Sequence, residues 1–545
     1  MIIAQMKMRN AQLKATIGKI PAKEVIKEVA NMPEYDTVNR QGHAAYSVQD
    51  ELRLISMLNT LKIEPQFYRS ENEIIKELRD LVFKLAGTDP YFVAQAIVWS
   101  RCCGEGMRTI NHLAAALLAP FAAGTEWGKR FYGPFDKKSK KRGGCIYRLD
   151  DMSEIKDAFS ALNTTVLTNA MKKGFASVLE NASAYELAKY KKTTIDISNL
   201  THPNVAKSRA MVIVDGKEMN VIDALLKGMT ISADTWETAN SEAGQIVAQA
   251  VKEGKLTKEK AEQVLNEAKN DNWEGLLDEG KLGILAAVRN LRNILNGNRT
   301  SVVDKVAALV QDGDKIRQGK VMPYQLEQAM TVVKEEFSSS HSRQLLTALE
   351  NGMTTALPNL KNLLTGRTLV MIDCSGSMYA RCYSGKTQIN ASCIDKAAIL
   401  GAMLAKGANA DIILFGSGAR RLSYNPNDSL TTIADAIKSV NLGGTNISSA
   451  FNLIRGEHAA YDRVILLSDC EANGGCTRSS YKQYINEVCS PYVYCVDLAS
   501  YGTTQLKNEG KVNYYFGYGY SMLDDVAKLE FNPQAHIEKV KQIVI

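Results

Sequence analysis

The feature that most constrains this chain is a change of hydrophobic period near Gly366. Before it, from about Ser47 to Lys361, apolar residues recur at three- and four-residue spacing, as in VQDELRLISMLNTL, ENEIIKELRDLVFKLA, TINHLAAALLAPFAA and LGILAAVRNLRNIL. That period gathers the apolar side chains on one face of an α-helix, and Gly, Pro or Asn breaks separate one helix from the next. After it, short runs rich in Val, Ile and Leu (TLVMID, DIILF, RVILLS, YVYCVD) alternate with stretches such as IDKAAILGAMLAKG. Strands that are apolar throughout are buried on both faces, so their alternation with helices predicts a doubly wound α/β sheet.

Two architectures in 545 residues agree with size, because single cores stop growing beyond roughly 250–300 residues. Residues 1–365 are expected to form one unit and residues 366–545 the other. More than 300 helical residues would overfill a bundle, so the first unit reads as an α-solenoid of HEAT-like repeats. No fixed-period repeat is visible, so any repeats are degenerate. AMVIVDGKEMNVI is the one strand-like interruption. Residues 1–45, polar and mixed with Pro21 and Pro33, read as an arm packed on a later domain. The stretch from about Ala239 to Asp278 reads as two polar helices projecting from the scaffold.

Composition mainly excludes. No run approaches the ~20 apolar residues of a membrane helix, and the N-terminal MIIAQMKMRNAQLK lacks the pattern of a secretory signal. The ten cysteines form no C-x-x-C pair, and their spacing suits neither a zinc site nor a disulfide framework. Reduced thiols and a cytoplasmic location are the expectation. The net charge of +7 is carried almost wholly by residues 1–366, at +6, against +1 for residues 367–545.

The chemistry gathers at the ends of the expected strands, where ligands of doubly wound sheets bind. In Asp373-Cys374-Ser375-Gly376-Ser377 the polar residues alternate and project toward a common point. Thr445, in GGTN, adds a third hydroxyl, and Asp469, closing RVILLSD, a second carboxylate. Carboxylates and hydroxyls are hard ligands, which suits a divalent cofactor such as Mg²⁺ and not a thiolate-loving metal. Asp and Ser also cap helices and form turns, but here all three elements follow strands of one domain. No His or Glu is placed as a general base, and Glu471 reads as a supporting or surface residue. Binding is therefore expected, not hydrolysis. This combination resembles the metal-ion-dependent adhesion site of von Willebrand factor A domains, in which the remaining metal position takes a partner's carboxylate or a water.

The whole chain in turn resembles the Ro autoantigen family, whose members join a TROVE module of helical repeats to a von Willebrand factor A domain. The resemblance is carried by GRTLVMIDCSGSM, NLGGTNISSAF and RVILLSDCE, and more loosely by NRQGHAAYSVQDELRLISML, AYELAKYKKTTIDISNLTHPN, LAAVRNLRNIL and DKIRQGKVMPYQLEQAM. It implies a ring of helical repeats closed by the A domain. It also implies binding of small noncoding Y RNAs on the outer surface and of single-stranded 3′ ends of misfolded or partly degraded RNA in a central hole. Members are ribonucleoprotein scaffolds in RNA quality control and not enzymes, and bacterial ones cooperate with exoribonucleases. A protein-interaction module using the metal site, with the helices as a platform, is the alternative.

Three basic tracts are compatible with RNA. Lys129 and Arg130, then Lys137, Lys138, Lys140, Lys141 and Arg142, form the densest, with Trp127, Phe131, Tyr132 and Phe135 interleaved. These aromatics either stack on bases or lie buried beneath a solvated loop. Lys189, Lys191, Lys192 and His202 match the family's KYK…H segment and are candidates for the central hole. Arg289 and Arg292 lie three apart on one helix face, with Lys315 and Arg317 beyond, and an intrahelical charge face explains them equally well.

Overall fold

A computed structural model describes residues 35–162, 166–214, 216–229, 246–253, 255–357, 364–380, 391–520 and 534–545, together with Ile231, Gly244 and Leu523. Residues 1–34 of the expected arm, and the start of the stretch from Ala239, lie outside these. No helix among the described residues is long and apolar enough to cross a membrane.

The first part is helix after helix, and local chemistry sets the ends. Helix Glu71–Ala86 opens on a reciprocal cap: Ser70 Oγ accepts from Glu73 N, and Glu73 Oε2 accepts from Ser70 N at 2.8 Å. Helix Pro90–Val98 carries Pro at its first position, where no amide is needed, and Asp89 caps the Phe92 amide at 2.9 Å. Along Glu71–Ala86 the buried residues are Ile74, Leu78, Leu81, Val82 and Leu85, the stripe expected of the period. Each such side chain contributes about 1.5–3 kcal/mol on burial.

These helices build two cores. One joins residues 48–225, and the other joins residues 273–364 to one face of the C-terminal sheet. The strand-like interruption is a hairpin, with Met211–Val214 (β3) antiparallel to Lys217–Asn220 (β4). Helix Lys258–Asp278 does not project as expected. Trp273 is buried in the second core, and Asn270 Nδ2 donates to Gly297 O at 2.8 Å. One large aromatic suffices to dock an otherwise polar helix.

The C-terminal sheet has six strands: Thr368–Asp373 (β5), Asp411–Phe415 (β6), Ala419–Leu422 (β7), Arg463–Ser468 (β8), Tyr492–Asp497 (β9) and Val512–Phe516 (β11). Their order is β11-β9-β8-β5-β6-β7, all pairs parallel except β6 with β7. β5 and β8 are buried at all six positions, as their unbroken apolar runs required. β7, with its two arginines, is a polar edge strand, so no apolar run announced it. Helices Cys393–Ala408 and Leu430–Lys438 cover one face, and Ile447–Gly456 and Thr477–Glu487 the other. The expected helical part followed by a doubly wound α/β domain is the architecture found.

Contacts cross between the parts at several places. Thr37–Val38 (β1) pairs with Ala44–Ser47 (β2), which pairs with Thr503–Thr504 (β10), so residues 37–47 lie against the A-type domain. Ile537, Val540, Ile543 and Ile545 join the first helical core, where Gln95 Nε2 donates to Ile543 O at 2.7 Å. Helix Cys393–Ala408 packs on helix Pro323–Glu336, and Lys438 Nζ meets Glu327 Oε1 at 2.7 Å. The α/β domain thus touches both helical cores, and neither core stops at residue 365.

Candidate metal centre and nucleic-acid interface

Parallel pairing of β5 with β8 in register Ile372↔Leu467 brings Asp373 and Ser468 side by side. Ser468 Oγ donates to Asp373 Oδ2 at 2.6 Å, and Ser375 N to Asp373 Oδ1 at 2.9 Å. Ser375 Oγ and Ser377 Oγ lie 3.3 Å apart. The GGTN loop docks on this one through Gly376 N to Gly443 O at 2.9 Å, with Gly443 at φ 82°, a left-handed conformation that favours glycine. Thr445 N donates to Asn473 Oδ1 at 2.9 Å, and Asn473 N to Thr445 O at 2.9 Å, which ties in the loop bearing Asp469. All five expected residues, Asp373, Ser375, Ser377, Thr445 and Asp469, therefore lie on three interlocked loops, and all are buried.

Two buried carboxylates share this site without an ion-pair partner among the described residues. Burial raises the Asp373 carboxyl above its ordinary range. Burial and the neighbouring Asp373 raise Asp469 well above it. No group of three or more His, Cys, Asp or Glu suited to a metal occurs among the described residues, so an ion here would have to be held by acids and hydroxyls together. The donor chemistry fits a hard divalent ion: two acids and three hydroxyls, with no amine or guanidinium to neutralise them. Glu471 is not a surface residue. It is fully buried, accepts from Arg40 N at 2.7 Å and from Thr503 Oγ1 at 3.2 Å, and burial pushes its carboxyl up to about 7. It fastens residues 37–47 to the domain.

The basic residues separate by location. A cavity of about 730 Å³ is lined by Lys129, Arg130 and Arg142 of the first tract, by His202 of the second, and by Lys172, Lys173 and Lys207, which sequence reasoning missed. Close packing assembles it: a Cβ on Gly174 would meet the Tyr132 Cβ at 2.6 Å, so helix Asn169–Asn181 lies directly on the turn that carries Lys129 and Arg130. His202 reaches the rim as the left-handed C-cap of helix Lys191–Thr201, at φ 48°. The six Lys and Arg side chains of the cavity form no ion pair among the described residues, and its Glu180 accepts instead from Asn204 N at 2.8 Å. The Lys172-Lys173 doublet is the one local signal for them in the sequence.

The remaining candidates are placed otherwise. Lys137 meets Glu186 at 3.5 Å, and Lys141 Nζ donates to Gln542 Oε1 at 3.2 Å. Lys189 lies over the Tyr185 ring at 5.5 Å, while Lys138, Lys140, Lys191 and Lys192 are exposed. Phe131, Tyr132 and Phe135 are buried in the first core, so they do not stack on bases, and Trp127 is half-buried against Phe131. Covering a core outweighs leaving three aromatics in water. The third tract disperses: Arg292 Nε donates to Glu336 Oε2 at 2.6 Å, Lys315 faces Asp312 at 3.7 Å and Arg317 Nη1 donates to Ala356 O at 3.1 Å. Arg289 remains exposed.

The comparisons agree with this geometry. Residues 367–488 match the family model of the Ro60 vWA domain, and residues 235–400 that of the TROVE domain. No curated protein matches the sequence. Among solved structures the fold is similar to the Ro (RSR) protein of Deinococcus radiodurans, with a TM-score of 0.54 at 17% identity, over 88% of this chain and 100% of that one. A helix-rich first part, a strand-end cluster of oxygen donors and these two matches make the chain similar to a TROVE domain over residues 235–400 and to a Ro60 vWA domain over residues 367–488.

Proposed function

We propose that this chain is an RNA-binding scaffold of the Ro type, with no chemistry of its own, acting in RNA quality control in the cytoplasm. Small noncoding, Y-like RNA binds the exposed basic surface that includes Lys129, Arg130, Arg142, Lys172, Lys173, His202 and Lys207. Single-stranded 3′ ends of misfolded or partly degraded RNA enter a central hole, from which an exoribonuclease takes them over. The observation that carries this reading is six Lys and Arg converging on one open cavity without acidic partners among the described residues. Like charges in water are held apart cheaply, and each phosphate they meet releases counterions. A second support is the approach of Lys396 and Arg289 to half-buried Lys62, whose ammonium is pushed down by burial and, against the opposing charge of Glu64, by those two cations. They come from the α/β domain and from both helical cores, and a nucleic-acid backbone suits their junction.

One divalent ion, Mg²⁺, is held by Asp373, Ser375, Ser377, Thr445 and Asp469. When bound, it supplies the positive charge that the two buried acids lack. Filter binding at rising salt tests the scaffold. RNA with a single-stranded 3′ tail should bind more tightly than blunt duplex at roughly 150 mM salt, and should stay intact in Mg²⁺. Equal affinity for both would end the scaffold reading.

A further inference from the structure

The basic cavity holds one acid. Helix Asn169–Asn181 turns Lys173, Ala176, Ser177 and Glu180 toward it, at the three- and four-residue spacing of one helix face. Lys173 and Glu180 are seven positions apart, so about 10 Å of helix separates them. On that face the short Ala176 and Ser177 lie between the two and leave room for a flat group. Glu180 forms no ion pair with the six Lys and Arg of the cavity among the described residues. Its Oε1 accepts from Asn204 N at 2.8 Å, which fixes the carboxylate against the turn after His202, while Oε2 has no protein donor among the described residues. A surface built for phosphate alone has no use for this acid. A carboxylate repels a phosphodiester, and within a Debye length of about 8 Å salt does not screen that repulsion away. The acid favours binding only where the ligand brings it hydrogen-bond donors.

We infer that Glu180 holds the Watson–Crick edge of an unpaired guanosine whose phosphates lie on Lys172 and Lys173. This deepens the RNA reading above and rests on it. Proteins that recognise RNA by sequence take unstacked bases and hydrogen-bond their edges. An ionised carboxylate only accepts, so it selects bases that present donors. Guanine presents two side by side, N1–H and N2–H, which meet both oxygens of a carboxylate. Adenine and cytosine place their amino group beside a ring nitrogen that accepts, and uracil sets its one N–H between two carbonyls. Each carboxylate oxygen has two acceptor sites, so the Asn204 amide stays bound. The span agrees too: about 10 Å of helix from Lys173 to Glu180 matches one nucleotide laid from its phosphate to the far edge of its base. A duplex hides that edge, so the guanosine comes from a loop, a bulge or a strand end.

The test uses the full chain and short oligouridines that carry one central guanosine, inosine, adenosine, cytidine or uridine, titrated at roughly 150 mM salt. The guanosine probe should bind about tenfold more tightly than the all-uridine probe, within the discrimination of a bidentate pair. Inosine, which lacks the N2 amine, should fall between them. Glu180→Gln keeps the side chain's size and an acceptor for Asn204 N, but turns one acceptor into a donor and removes the charge. It should abolish the guanosine preference and tighten the all-uridine probe, because the repulsion of its phosphates is gone. A Glu180 that only fastens the turn would move neither, since glutamine fastens it as well. Lys173→Ala should weaken every probe alike. Equal binding of all the probes by the parent, a preference for adenosine or cytidine, or a guanosine preference kept in Glu180→Gln overturns the guanosine site and leaves the RNA reading standing. A parent chain that binds neither these probes nor the 3′-tailed RNA overturns both.

Discussion

Two clusters of buried acid in this molecule meet opposite fates, and the contrast lies in whether the chain itself supplies the compensating charge. In the first helical core Asp151 is fully buried, yet Arg101 Nη2 reaches its two oxygens at 2.8 and 2.9 Å, His112 Nε2 lies at 3.0 Å, and the amides of Tyr147 and Arg148 each donate at 3.0 Å. Burial opposes ionisation there, but the His112 hydrogen bond and the Arg101 charge overcome it and hold the carboxyl well below its usual range. At the strand ends of the α/β domain, Asp373 and Asp469 are equally buried, receive only neutral donors, and are raised. The same residue type at the same depth is neutralised by the chain's own cations in one place and meets none of them, among the described residues, in the other.

Breaking the satisfied cluster gives the largest effect. Asp151→Ala strands the buried Arg101 guanidinium and should cost about 3–5 kcal/mol in denaturant unfolding. Because the folded pKa of Asp151 is depressed, its stabilisation is fully present above the ordinary carboxylate value near ~3.9 and is lost as pH falls through the lower folded value. Acid unfolding of the parent, but not of the variant, should carry this proton uptake.

The unsatisfied cluster should respond in the other sense. Asp373→Asn removes one of two repelling charges, so without metal the variant should match or exceed the parent in stability. Mg²⁺ at about 100 times its Kd should stabilise the parent by about 2.7 kcal/mol and leave the variant unmoved. Loss of stability in the metal-free variant would show that both acids are already satisfied by the chain.

The smallest effects sharpen the comparison among exposed cations. Replacing both Lys172 and Lys173 by Ala should lower the salt slope of RNA binding by roughly 1.4–1.8, for two phosphate contacts. Arg292→Ala removes a cation already occupied by Glu336, so RNA binding should hold while stability falls by only about 0.2–1 kcal/mol. Filter binding and urea unfolding on the same preparations check both.

What could be read in advance follows from how far apart the partners lie in the chain. Ser375 and Ser377 follow Asp373 directly at the end of β5, and Asp469 follows β8, so an apolar strand run and the short polar sequence after it locate these donors. The basic cavity had no such marker. Lys129, Lys172 and Lys207 meet because Gly174 lets one helix lie on a distant turn, and the interleaved aromatics that looked like base-stacking groups are the core beneath. Arg292 looked as free as Arg130 until Glu336, 44 positions away, proved to be its partner. Arg40 and Glu471 carry no joint signal at all, since 431 positions separate the amide from the carboxylate that accepts from it.

The sequence by itself determined the two architectures, through the period of its apolar residues, and the five oxygen donors, through short loops at strand ends. Both are written in neighbouring residues, where backbone geometry alone fixes which side chains share a face. Only the tertiary structure decided which cations stay unpaired, which aromatics are core, and that Arg40, near the start of the chain, is fastened to Glu471 of the α/β domain. Charge compensation and close packing act between elements far apart in sequence, and local pattern carries no record of them.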